Sequence, residues 1–284
     1  MLQRLMAVMA GVCLLSVPAM AEVSFDAGDA ETDALVKACF EQDGVDFLPD
    51  TDVICYNAAI FPEEFLKLNE LGPASRIIIT SPGGNVATAR GMSGILDRRA
   101  EPVVIAGPCM SACAMVILPG LDAVRIHHTA HIAVHGIVMM PFKRWYGWLK
   151  DDEAPSTIAT LQAQMGYNFG FMTHSSGTMH MRAHMADQGV DIGYIDDISD
   201  QMEEDARAFT TCRVDPNEYW GMVSAEHLKK YMGSRITQME SFASSWDDPL
   251  NKPYQHIGTP IGERTYIFQG AYDAECEEGS VSNG

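Results

Sequence analysis

Three short stretches hold residues whose types and order suit acyl transfer. Ser81-Pro-Gly-Gly-Asn-Val86 supplies a glycine turn. Gly107-Pro-Cys-Met-Ser-Ala-Cys113 sets a serine among small residues, and Ala133-Val-His135 places a histidine 24 positions after that serine. A nucleophile, a base and backbone N–H groups that can hold an oxyanion are what such a reaction needs. Ser111 follows an apolar strand pattern and opens an apolar run, where unpaired backbone N–H groups gather. An ordinary helix-capping serine has the same local pattern. The N–H of Ala112 is one natural oxyanion donor. Gly83 and Gly84 permit positive φ and close backbone approach, so this turn offers a second donor. No G-x-G-x-x-G follows, which excludes a dinucleotide fingerprint.

His135 ends an alternating stretch in which His131, Ala133 and His135 share one face. His127 and His128 lie nearby and raise the question of a metal cluster. No carboxylate occurs in this stretch after Asp122, and no HExxH pattern is present. The expectation is therefore a base for Ser111, with no metal and no cofactor.

These residues need a scaffold, and the apolar pattern around them supplies one. Asp52–Tyr56, Arg76–Thr80, Val103–Ala106, Asp122–Ile126 and His131–His135 read as strands. Arg76-Ile-Ile-Ile-Thr80 is a continuous β-branched run, as in a strand buried on both faces. Helices are predicted near Asp33–Glu41 and over Pro62–Leu71, Ala87–Arg99 and Ser111–Leu118. Further helices are predicted through much of Ser156–Met185, over Ile198–Phe209, and over Ser224–Met232 behind a serine cap. Strand and helix in alternation imply an α/β fold around a mainly parallel sheet. Met139–Trp148 reads as an apolar loop or lid, and the tail from Asp247 is rich in turn residues.

The chain has 284 residues and a formal charge of −19. Met1–Ala21 has one positive charge (Arg4), an apolar run from Leu5 to Val17 and Ala19-Met-Ala21 before the expected cleavage site, the pattern of a signal peptide. The apolar run is short for a membrane span. Residues 22–284 are expected to form a single domain with its core at about 50–235, in a periplasmic or secreted setting. The acidic balance disfavours nucleic acid and anionic lipid as partners. Seven cysteines become six once Cys13 leaves. An even count in an exported chain points to disulfides, although six cysteines allow 15 pairings. The pairs expected are Cys39–Cys55, Cys109–Cys113 and Cys212–Cys276.

Taken together, Ser81-Pro-Gly-Gly84, the Gly91-Met-Ser93 helix, Ser111-Ala112 and Val134-His135 resemble the proteolytic subunit of the Clp protease family. That family lies within the crotonase-like superfamily. The order of glycine turn, serine and histidine is the family's order. The resemblance covers about Asp52 to Gly136 and returns at Ser224-Ala-Glu226 and Tyr231. It implies stacked β-β-α units with a helical C-terminal extension. It also implies Ser111 as nucleophile, His135 as general base, and the N–H groups of Gly84 and Ala112 as oxyanion hole. The family's acid position falls on Trp220, which leaves Glu218 or Asp215 to orient His135. Some relatives pair the serine with a lysine, for which Lys143 or Lys150 is available. The function implied is an exported serine hydrolase, a peptidase acting on peptides or unfolded protein without ATP, in a homo-oligomer. The alternative is a binding or scaffold protein that keeps the fold without the reaction. Acyl-CoA chemistry fits poorly with export and with the scarcity of basic residues.

Overall fold

In the computed structural model the described residues are 23–135, 179, 181–208 and 220–243, with the main chain alone at 135, 201–208, 220 and 221. They form a mixed α/β structure on a mostly parallel sheet of eight strands. The N-terminal part contains α1 (Ala30–Phe40), β1 (Gly44–Phe47), β2 (Val53–Asn57), α2 (Pro62–Glu70), β3 (Arg76–Ser81), α3 (Val86–Arg99) and β4 (Val103–Met110). A π-helical turn (Cys113–Ile117) and a 3-10 turn (Leu118–Gly120) follow, then β5 (Val124–Ile126) and β6 (His131–His135). Beyond these lie a helical run over 181–187 (α4), α5 (Gly193–Ala208), β7 (Trp220–Met222), α6 (Ala225–Met232) and β8 (Ile236–Met239).

The strand order is β1-β2-β3-β4-β5-β8, and β6 joins β4 to β7. All pairings are parallel except β1 with β2 and β6 with β7. Period-two alternation sorts each central strand onto two faces. Ile54, Tyr56, Ile77, Ile79, Val103 and Ile105 pack with Leu68 of α2 and Met92 of α3. Val53, Cys55, Ile78, Val104 and Ala106 pack with Val36 and Cys39 of α1 on the other face. Burial on both faces is why these strands read as unbroken apolar runs.

Local chemistry sets the helix ends. Asp29 caps α1 by accepting from the Thr32 N–H at 2.8 Å. That bond and the Arg125 guanidinium hold its carboxyl at about 2. Asn85 caps α3 through the Thr88 N–H, and Ser224 caps α6 as the sequence predicts.

Four features differ from the sequence reading. Strand β1 pairs antiparallel with β2, although its four residues carry no strong pattern. The strand foreseen at Val103–Ala106 runs on to Met110, through Gly107-Pro108, because β6 pairs with its second half. Ser111–Leu118 is not one α-helix but the π and 3-10 turns. The buried set also extends beyond 50–235, from Val36 to Ala243.

Cys39–Cys55 and Cys109–Cys113 are disulfide-bonded, as expected. The second joins the end of β4 to the π turn, with Cα atoms 5.1 Å apart, instead of bridging one helical turn. The Cys212–Cys276 pair, Met139–Trp148 and the tail from Asp247 lie outside the described residues. Among the described residues, no helix is long and apolar enough to cross a membrane.

Candidate active site

Ser111 sits one residue past β4, where the chain turns sharply. Its φ is +54°, in the left-handed region that a non-glycine residue rarely adopts. The residue is half-buried. Two backbone bonds hold the turn: the Ser111 N–H donates to Ala133 O at 2.8 Å, and Met115 donates to Ser111 O at 2.9 Å. The Cys109–Cys113 disulfide closes a ring around the same turn. Ser111 is thus fixed by the sheet on one side and by the π turn on the other.

The glycine turn lies directly against it. A Cβ on Gly83 would stand 2.4 Å from Met110 O, 2.6 Å from Ser111 Cβ and 3.1 Å from Ala112 N. Gly83 also has φ +93°, so two separate reasons require glycine. Gly84 is pinned differently. The Ile60 N–H donates to Gly83 O at 2.8 Å, and the Asn85 N–H donates to Ile60 O at 2.9 Å. In this parallel bridge the amide of Gly84 itself faces away from Ile60. Among the described residues, neither the N–H of Gly84 nor that of Ala112 has a hydrogen-bond acceptor. Ala112 is fully buried, and a buried N–H without an acceptor is rare in folded proteins.

β6 brings His135 to the same end of the sheet. Met110 is in register with Ala133, and His135 lies two positions further on. That is about 6.6 Å along the strand. The main chain of His135 pairs with Trp220 of β7, so these two residues are neighbours across the strands. Of the sequence-predicted residues, the fold brings together Gly84, Ser111, Ala112 and the backbone of His135. Glu218, Asp215, Lys143 and Lys150 lie outside the described residues.

Two features here were not foreseen. The left-handed turn at Ser111 has no sequence signal, because serine carries no marker for positive φ. The second concerns His127 and His128. The local stretch offers them no carboxylate, but the fold delivers Asp33 from α1 and Glu240 from just after β8. No protein-family model matches the chain, and comparison with curated proteins returns no match.

Proposed function

We propose that this chain is an exported serine hydrolase, a peptidase of Clp-protease-like, crotonase-type architecture that works without ATP. The observation that carries the reading is the Ser111 turn, a strained serine beside a fully buried Ala112 N–H that has no acceptor among the described residues. Strain at a single residue persists when a site requires it, and an unpaired buried donor fits an oxyanion that forms only during reaction. The two disulfides support export.

In this reading Ser111 Oγ attacks the peptide carbonyl while His135 takes its proton. The N–H groups of Gly84 and Ala112 receive the developing negative charge on oxygen. His135 then protonates the leaving amine, and water hydrolyses the acyl-enzyme with His135 as base again. Glu218 or Asp215 orients His135. By the same resemblance the active form is a homo-oligomer, and the substrate is a peptide or unfolded chain.

Labelling of the purified protein with a fluorophosphonate tests the proposal. Wild type is expected to label. Ser111→Ala is expected to abolish the signal, and His135→Ala to slow it by about 10²- to 10⁴-fold, the usual share of a general base. A full rate in His135→Ala moves the base to Lys143 or Lys150. A second reading rests on the Trp220 register. Tryptophan beside His135 supplies no carboxylate, and a catalytically inactive binding or scaffold protein would tolerate it. Wild type that does not label favours that reading.

A further inference from the structure

We propose that Asp33, His127, His128 and Glu240 form a binding site for a divalent transition cation of the zinc class. The site is separate from Ser111 and clamps α1 to the residue after β8. Each residue turns one ligand atom inward, and the four atoms lie within 4.8 Å of one another. His127 Nε2 is 2.9 Å from Asp33 Oδ1 and 4.0 Å from Glu240 Oε2. His128 Nδ1 is 3.6 Å from Asp33 Oδ1 and 3.0 Å from Glu240 Oε2. A tetrahedral ion with bonds of about 2.0–2.1 Å has ligand–ligand edges of about 3.4 Å. The four separations bracket that value. Two imidazoles with two carboxylates form a donor set suited to zinc, and less suited to calcium or magnesium, which take oxygen alone.

The surroundings are those of a supported site. His127 Nδ1 meets Thr129 Oγ1 at 2.8 Å, which turns Nε2 toward the cluster. Arg125 takes Glu240 Oε1 and leaves Oε2 to face the histidines. Such outer partners orient metal ligands. Gly28 makes room, since a Cβ there would stand 3.0 Å from Glu240 Oε2. Charge points the same way. Three carboxylates gather here, Asp29, Asp33 and Glu240, against one guanidinium, Arg125, which pairs with Asp29 and Glu240 while Asp33 meets His127. With imidazoles neutral, as ligation requires, the group carries −2 and a dication balances it. His127 and Glu240 side chains are only 1% and 3% exposed, so an unbalanced charge there is costly. The four ligands come from α1, the β5–β6 turn and the residue after β8. The ion's role is therefore structural: it joins residues 33 and 240 and fixes the turn that leads into β6.

The test uses the full chain, kept oxidised, stripped with chelator and titrated with zinc by calorimetry, with thermal melts alongside. The expected result is one equivalent bound and a melting temperature several degrees higher with zinc than after chelation. Asp33→Asn and His128→Ala change half-exposed residues and are expected to leave the circular dichroism spectrum unchanged. Each is expected to lower zinc affinity by more than about 10-fold, the least that even an outer partner is worth. Folded, stripped wild type that takes up no zinc overturns the proposal. So does equal uptake by wild type and both variants, which would place the zinc elsewhere.

Discussion

At Ser111 a single backbone angle, φ +54°, sets the geometry of the candidate site. The left-handed conformation turns the chain out of β4 in a single step, so Ala112 N–H is left behind the serine without an acceptor. Gly83 makes that turn possible by leaving empty the space a side chain would fill. A comparison of two glycines tests this. Gly44 has nearly the same φ, +90°, but a Cβ there would meet nothing within 4 Å. Gly44→Ala carries backbone strain alone, about 1–2 kcal/mol, and leaves fluorophosphonate labelling unchanged. Gly83→Ala adds a clash with main-chain oxygen that no rotamer relieves. It is expected to cost more stability than Gly44→Ala and to abolish labelling at temperatures where it stays folded. Equal losses in denaturant melts would show that the close approach to Ser111 contributes nothing. The glycine pair and the serine were legible in the sequence as types in an order. Their contact was not, because 28 positions separate Gly83 from Ser111 and only the register of β3 with β4 joins them.

At the scale of elements, apolar runs predicted the central strands well because burial on both faces leaves no polar residue to blur the pattern. They failed where pairing decides. Gly107-Pro108 looks like a strand end, yet β6 pairs with the segment beyond it and keeps β4 extended to Met110. The small-residue run after Ser111 looked helical, but Leu118-Pro-Gly120 and the packing of α5 leave it as short turns. Tyr194 of α5 is fully buried, and its hydroxyl donates to Ala114 O at 2.9 Å. Burial pushes its phenol far above the ordinary range, so it remains a neutral donor. That bond braces the π turn three residues after the candidate nucleophile. Tyr194→Phe keeps the ring and leaves a buried carbonyl without its donor, at a cost of about 1–2 kcal/mol. It is expected to slow labelling of Ser111 while the circular dichroism spectrum stays unchanged. An unaltered labelling rate would mean that the turn is braced elsewhere.

At the scale of the whole molecule, two devices hold together parts that are distant in sequence. The sequence pointed to one of them. Cysteine parity and export suggested the disulfides, whereas the His–carboxylate cluster stayed hidden because Asp33 and Glu240 stand 94 and 112 positions from their histidine partners. The two disulfides have different tasks. Cys39–Cys55 ties α1 to β2 across 16 positions and lies away from Ser111, while Cys109–Cys113 spans only 4 and encloses it. Loop-closure entropy gives the longer link about 3 kcal/mol and the shorter about 2. Replacing both cysteines of the first pair with alanine is therefore expected to cost the larger share of stability in denaturant melts and to leave Ser111 labelling intact. Replacing the second pair is expected to cost less stability and to slow labelling, because the freed turn no longer holds Ser111 in its left-handed conformation. The opposite ranking of the two readouts is the signature to look for. Parallel losses of stability and labelling in both variants would make the short disulfide one more staple of the fold, with no part in positioning the serine.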